Sequence, residues 1–111
     1  MRYFLDIPAI VYRDISGIRD YIASDNPSAA NRTAEKLFRA VEGLADNPLA
    51  YGELKKKFGI ETDLRARLQK PYVVLFRIDG DTVKVYRVLD GRSDYLAALN
   101  LLNTPREDGE E

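Results

Sequence analysis

The sequence predicts an α+β fold with the element order β-αα-βββ-α, in which an antiparallel sheet carries an N-terminal helical hairpin packed on it. Apolar residues recur at a helical period through residues 11–45, and at a period of two from residue 63 to residue 89. Helices and strands segregated along a chain in this way are typical of α+β domains. A length of 111 residues suits one domain, which we expect to span residues 1–104.

A short strand is predicted first, over residues 2–7, because Tyr3, Leu5 and Ile7 alternate with the residues between them and Pro8 ends the run. A helix follows, whose apolar positions form one stripe: Val11, Ile15, Ile18 and Ile22. Gly17 weakens this helix by about 1 kcal/mol relative to Ala, so we expect the helix to depend on packing.

A second amphipathic helix is predicted after a short turn. Asp25 or Asn26 can cap this helix, and Pro27 suits its first turn because no intrahelical N–H bond is needed there. The helical pattern ends before Asn47 and Pro48. Two amphipathic helices joined by a short turn are typical of an αα-hairpin.

Residues 49–62 show no clean period, and we interpret them as a surface or functional loop with a short strand or turn around Glu53–Lys57. Alternation and apolar runs then predict strands at residues 63–69, 72–78 and 82–89. Asp79-Gly80 is a strong hairpin turn signal between the last two strands. Ser93 can cap a final short helix over residues 93–102.

The composition excludes several classes of site, because the chain has no Cys and no His. Without Cys there is no thiol nucleophile and no disulfide. Without His the usual general base and nearly all transition-metal sites are absent. We therefore expect no cofactor and no metal. No apolar run approaches the roughly 20 residues of a membrane helix, and we expect a cytoplasmic protein.

The formal net charge of -1 is unevenly distributed. Residues 105–111 hold one Arg against four carboxylates, and we expect them to form a disordered acidic tail. Residues 55–70 hold six basic residues against two acidic ones. Arginines lie on one face of the first meander strand and near the ends of later strands: Arg65, Arg67, Arg77, Arg87 and Arg92. Guanidinium forks bind carboxylate or phosphate, although each of these arginines could instead form an exposed ion pair within the chain.

Several segments resemble the RelE/ParE toxins of bacterial toxin–antitoxin modules, and the resemblance covers about residues 1–102. These segments are residues 2–6, the helical pair around Asn26-Pro27, residues 72–78 and residues 85–94. The end of the last strand is the most specific part, since the family commonly shows an Arg-Val-Leu-His-Gly-Arg-Arg-Asp-like run there. In this chain Asp90 replaces the His and Ser93 replaces the second Arg.

The resemblance implies one of two activities on one fold. RelE-type members cut mRNA in the ribosomal A site, whereas ParE-type members inhibit DNA gyrase without catalytic residues of their own. Val73 stands where a RelE-like strand would place an Arg, and Leu99 falls near the position of the RelE-type Tyr. These departures and the long helical hairpin favour the ParE-like activity. The open alternatives are a RelE-like mRNA endonuclease and an inactive binding module with the toxin fold.

Each activity implies its own set of residues. For a gyrase inhibitor, we expect the target to bind at the end of the last strand, to Arg87, Asp90, Arg92 and Asp94. A nuclease would instead use Lys55, Lys57, Arg65 and Arg92. Either class implies a hetero-oligomer with a ParD-like antitoxin, of the ribbon-helix-helix kind or similar. We expect acidic antitoxin side chains to meet Arg65, Arg67 and Arg77.

Overall fold

The helical hairpin and the sheet lie where the sequence predicts them in the computed structural model, which describes residues 2–59 and 61–92. In chain order the elements are β1 (Phe4–Asp6), α1 (Ala9–Ala23), α2 (Pro27–Glu42), 3-10 turns at Gly43–Ala45 and Pro48–Ala50, α3 (Leu54–Phe58), β2 (Arg65–Gln69), β3 (Tyr72–Asp79) and β4 (Thr82–Asp90). The predicted final helix over residues 93–102 and the predicted acidic tail lie outside the described residues, as do Asp94 and Leu99.

Local capping signals explain where the hairpin turns. The side chain of Asn26 accepts a hydrogen bond from the backbone N–H of Ala29 at 3.1 Å, and Pro27 occupies the first position of α2. Asn26 is therefore the cap that the sequence offered as one of two candidates. The predicted turn between β3 and β4 also forms, since Gly80 adopts the φ of 64° that a tight turn requires there.

The sheet is mixed, which corrects the prediction of a wholly antiparallel one. Its strand order is β1-β4-β3-β2, and β1 runs parallel to β4, with Phe4 opposite Thr82 and Asp6 opposite Lys84. Tight turns enforce antiparallel pairing only between the strands that they join. Because β1 reaches the sheet through the whole helical hairpin, no turn sets its direction relative to β4.

Two further expectations were wrong in detail. Helix α2 ends at Glu42, and a 3-10 turn over Gly43–Ala45 continues the chain where the pattern predicted α-helix. Around residues 53–57, where a short strand or turn was predicted, Glu53 forms one antiparallel bridge with Arg65 and the chain continues as the short helix α3. Burial explains α3, because Leu54 is 1% exposed in a cluster on the sheet. Gly59 ends this helix in the left-handed region with a φ of 71°.

Apolar residues cover both faces of the sheet. The larger cluster joins the hairpin to the sheet and includes Val11, Ile15, Leu37, Val41, Val74, Phe76, Val83 and Val85. The smaller cluster consists of Leu54, Leu64, Val73 and Leu75, with Tyr86 and Leu89 packed against it. Strand β3 contributes to both clusters, which explains its nearly continuous apolar run. No helix in the described part of the chain is long and apolar enough to cross a membrane.

Candidate functional site at the end of the last strand

The second half of β4 has no described strand beside it at its outer edge, for a topological reason. Strand β1 pairs only with Thr82–Lys84, so no other described strand follows β4 on that side. The register between β3 and β4 also shifts by one residue, since Phe76 lies opposite Val85 but Leu75 lies opposite Arg87. A bulge of this kind redirects the residues that follow it.

One carboxylate of α1 binds this redirected strand. Asp14 accepts hydrogen bonds from Nε and Nη2 of Arg87, both at 2.8 Å, and from the backbone N–H of Val88 at 3.0 Å. The Asp14 side chain is 11% exposed and that of Arg87 is 33% exposed. The hydrogen bonds to Asp14 raise the pKa of Arg87 above its ordinary value. Asp14 therefore fixes the end of β4 against α1.

Asp90 and Arg92 form a second ion pair, across the turn that ends β4. Arg92 donates from its backbone N–H at 2.8 Å and from Nε at 3.0 Å to one carboxylate oxygen of Asp90, and from Nη2 at 2.9 Å to the other. The side-chain hydrogen bond from Arg92, followed by the backbone one, holds the pKa of Asp90 below its ordinary value. The guanidinium stays accessible, since the Arg92 side chain is 67% exposed.

Gly91 lies between these two residues, and its backbone contacts that of Pro71. Its N–H donates to the carbonyl of Pro71 at 2.7 Å. A Cβ at this position would lie 3.0 Å from the same carbonyl oxygen, which is backbone and cannot move aside cheaply. Glycine therefore favours this close approach, next to Asp90 and Arg92.

A groove runs between α1 and this end of β4, with a volume of about 490 Å³. Helix α1 contributes Arg13, Gly17, Ile18 and Tyr21, and the facing wall includes Val88 and Leu89. Asp14, Asp90 and Arg92 also line the groove. The structure thus brings Asp90 and Arg92 of the predicted target-binding set to one groove, whereas Arg87 reaches it through Asp14.

Two of the predicted antitoxin-binding arginines are engaged within the chain. Arg65 donates to the carbonyl of Tyr51 at 2.8 Å and to Glu53 at 3.0 Å. Arg67 donates to the carbonyl of Ala40 at 2.8 Å, near the end of α2, and its guanidinium carbon lies 5.1 Å from the centre of the Tyr51 ring. These contacts hold the segment between α2 and β2 against the sheet.

Arg77 differs from these two arginines. It donates to Asp63 at 3.2 Å in an ion pair whose side chains are 42% and 67% exposed. Solvent reaches both partners, so a competing carboxylate can replace Asp63 at little cost.

Two residues of the nuclease alternative, Lys55 and Lys57, lie on α3, and the other two lie at the ends of strands β2 and β4. Lys55 lies 3.5 Å from Glu61, and the side chain of Lys57 lies outside the described part of the chain. Arg65 begins β2. Arg92 follows Asp90, which lies opposite Tyr72 of β3, and Tyr72 lies opposite Gln69 at the other end of β2. Four residues of strand separate these ends by about 13 Å. Within residues 2–59 and 61–92, no group of three or more acidic side chains is placed to hold a metal ion.

Asp14, which accepts three hydrogen bonds at this site, is not among the residues predicted from the sequence. A signal for it existed, because Asp14 falls on the apolar stripe of α1, three residues after Val11 and four before Ile18. A carboxylate inside an apolar stripe needs a buried partner. The partner, Arg87, lies 73 residues further along the chain, and spacing alone does not identify it.

Two solved structures share the fold of this protein. A chain in the structure of the chromosomal ParDE TA system from P. aeruginosa superposes with a TM-score of 0.67 at 18% identity, covering 80% of this chain and 96% of that chain. A chain of the RelBE2 toxin–antitoxin complex from Mycobacterium tuberculosis superposes with a TM-score of 0.54 at 20% identity, covering 81% and 99%. Both comparisons confirm the predicted ParE/RelE-like α+β fold.

The sequence itself identifies the family. Residues 11–95, well over half of the chain, match the family described as "ParE toxin of type II toxin-antitoxin system, parDE". The chain therefore belongs to the ParE toxin family and is a toxin of the type II toxin–antitoxin class. No curated protein sequence matches it.

Proposed function

We propose that this protein inhibits DNA gyrase in the bacterial cytoplasm, as a toxin without catalytic residues, and that a cognate ParD-like antitoxin neutralises it. Membership of the ParE family supports gyrase as the target. The observation that carries the choice is Val73, which is fully buried and lies opposite Leu68 on β2 and Leu89 on β4. An mRNA endonuclease of the RelE type would need a cation at this position, where the smaller cluster excludes water.

The spacing of the basic residues also supports an activity without RNA cleavage. Arg65 is 18% exposed and bonded to Glu53, and it lies about 13 Å along β2 from the end that is near Arg92. The backbones of these two arginines therefore lie near opposite ends of β2. The likeness to the RelBE2 chain concerns the fold, which hosts both activities.

The target-binding surface of this proposal is the end of β4, with Arg87, Asp90 and Arg92 and the following Asp94. Both arginines are pre-oriented by carboxylates, Arg87 by Asp14 and Arg92 by Asp90. A guanidinium has five N–H donors, so each of them keeps donors for a partner while one edge is held. Pre-oriented side chains lose less conformational entropy when a partner binds.

The antitoxin is proposed to bind as a segment that becomes ordered on the toxin. Of the three arginines assigned to this contact, Arg77 is the most accessible, because its ion pair with Asp63 is exposed. Arg65 and Arg67 would contribute through donors that Tyr51, Glu53 and Ala40 leave free.

A supercoiling assay tests the function directly. Purified toxin is added to gyrase, ATP and relaxed plasmid, and in parallel to ribosomes translating a defined mRNA. We expect loss of supercoiling with intact mRNA. We expect Arg92→Ala to weaken inhibition at least tenfold, whereas the control Arg39→Ala removes an equally exposed ion-paired arginine of α2 and should change nothing. Cleaved mRNA with normal supercoiling would establish the endonuclease instead, and no effect in either assay would indicate an inactive binding module.

A further inference from the structure

Three basic residues form a cationic patch beside the turn between β2 and β3. Arg32 and Lys36 are exposed and lie one turn apart on α2, and the exposed Lys70 lies in the turn between the strands. Lys36 and Lys70 line one cleft, together with Thr33 and Pro71. The patch therefore combines residues from two elements that are distant in sequence, and the packing of α2 beside this turn brings their charges together.

The three cations of the patch have no carboxylate partners. Within the two described ranges, 2–59 and 61–92, no carboxylate lies within ion-pair distance of Arg32, Lys36 or Lys70. The acidic residue next to Lys36 on α2 is Glu35, which is bonded to Arg39 at 2.9 Å. Three uncompensated positive charges on one surface of a chain with a net charge of -1 indicate an anionic partner.

The cationic patch continues into the proposed target-binding surface at the end of β4. Lys70 and Pro71 line a second cleft with Gly91 and Arg92. The N–H of Gly91 donates to the carbonyl of Pro71 at 2.7 Å, so the turn that carries Lys70 is fixed against the end of β4. A partner bound at Arg92 therefore has the cationic patch directly beside it.

The chemistry of the patch suits the phosphates of a nucleic acid backbone. The lysine ammonium group is a compact charge on a flexible stem, and contacts to phosphate carry no sequence information. Binding through the bases would need an accessible aromatic face for stacking. Tyr72 is the aromatic residue that lines both clefts, and it is only 9% exposed, so its ring offers no such face. These features favour a double-stranded polyanion over an unpaired strand.

We infer that the cationic patch binds the backbone of duplex DNA while the end of β4 contacts the gyrase that holds this DNA. The inference rests on the proposed function for its choice of DNA, because gyrase acts on duplex DNA. Nonspecific phosphate contacts give dissociation constants of about 10⁻⁴–10⁻⁶ M. A weak contact of this size strengthens binding when a second surface of the same protein is engaged at the same time.

Fluorescence anisotropy of a labelled DNA duplex, titrated with the full-length toxin, tests the patch in the absence of gyrase. At about 50 mM salt we expect a dissociation constant in the range given above, and three phosphate contacts predict a slope of about -2.7 for log K against log salt concentration. Lys36→Gln combined with Lys70→Gln should weaken binding at least about tenfold and reduce the steepness of this slope by about 1.8. Lys36→Arg combined with Lys70→Arg keeps both charges and should retain the affinity.

The matched control removes two other lysines from the same chain. Lys56 is paired with Glu53 on the segment that begins α3, and Lys84 is paired with Asp79 at the far end of β4. Lys56→Gln combined with Lys84→Gln changes the net charge by the same amount as the patch variant. We expect it to leave DNA affinity within about twofold of the wild type, because both lysines lie away from the cationic patch.

The outcomes separate this inference from the proposed function. Absence of DNA binding at low salt, or equal losses in the patch and control variants, would overturn the inference even if the wild type inhibits gyrase. Tighter binding to a single-stranded RNA than to the duplex would also overturn it. If the wild type binds DNA through the patch but leaves supercoiling normal, the DNA site holds and the gyrase assignment falls.

The supercoiling assay then tests whether the patch acts on DNA that gyrase holds. We expect the variant with Lys36→Gln and Lys70→Gln to need about tenfold more protein than the wild type for the same inhibition, in line with its loss of DNA affinity. Circular dichroism during urea denaturation should show the same midpoint for both proteins, since the substituted lysines are exposed. Unchanged inhibition by this variant would overturn the contact with gyrase-bound DNA.

Discussion

Removing the Asp14 carboxylate should destabilise the protein more than any exposed charge does. In Asp14→Ala, the Arg87 guanidinium loses two charge-assisted hydrogen bonds and the Val88 N–H loses its acceptor. A hydrogen bond to a charged group contributes about 1.5–3 kcal/mol net, and an unpaired buried N–H costs about 1–3 kcal/mol. Because Arg87 is 33% exposed, water recovers part of this loss. We expect a decrease of about 2–3 kcal/mol in the free energy of unfolding.

Urea denaturation followed by circular dichroism measures this decrease. With a slope of about 1.5 kcal/mol per molar urea, the midpoint should fall by about 1–2 M. Asp14→Asn keeps one acceptor oxygen and should lose about half as much. Asp20→Ala is the matched control on the same helix, because Asp20 is 73% exposed and lies 3.6 Å from Arg19 in a surface pair that contributes little.

A double-mutant cycle assigns the loss to the pair. Arg87→Met alone leaves Asp14 with an uncompensated charge, whereas the double variant removes both charges and should recover at least about 1 kcal/mol relative to additivity. If Asp14→Ala and Asp20→Ala shift the midpoint equally, the assignment of Asp14 as the contact that fixes β4 to α1 is refuted.

Two further predictions concern the other arginines. Arg67→Met should cost about 1–2 kcal/mol in urea denaturation, because it removes the bond to the Ala40 carbonyl and the contact with an aromatic ring, whereas Arg77→Met should cost less than about 0.5 kcal/mol. Equal costs would contradict the structural role of Arg67. The pKa of Asp90 is lowered in the folded state, so its contribution to stability is complete above the ordinary Asp value near 3.9 and is lost as pH falls through the lower folded value. A carboxyl carbon NMR titration should place the Asp90 midpoint below 3.9, and Arg92→Ala should raise that midpoint; no change in this variant would contradict the ion pair.

The hairpin could be predicted from sequence because short-range chemistry determines it. Asn26 and Pro27 begin α2 with a cap and a residue that needs no N–H partner, and both act within one turn of their own positions. The turn at Asp79-Gly80 has the same local character, since only the φ of Gly80 decides it. Signals of this kind need no knowledge of the rest of the fold.

Features that depend on distant contacts could not be predicted in this way. Helix α3 forms because Leu54 is buried against Leu64, and its own residues give no clear helical period. The direction of β1 relative to β4 depends on how the helical hairpin leads the chain back to the sheet, and no turn residue determines it. The arginines of β2 show the same limit. Alternation predicts that they form an exposed cationic face, but Arg67 donates a hydrogen bond to the Ala40 carbonyl near the end of α2.

Asp14 and Gly17 together indicate that one face of α1 is selected for more than folding. Both residues break the local rules of an amphipathic helix, one by placing a carboxylate in the apolar stripe and the other by removing a side chain from the helix interior. Arg87 and Val88 compensate for the buried carboxylate, because they donate hydrogen bonds to Asp14. No described atom outside α1 lies within 4 Å of the missing Cβ of Gly17. Departures of this kind are typical of functional sites, so the face of α1 that carries Asp14 and Gly17 is expected to serve function as well as folding.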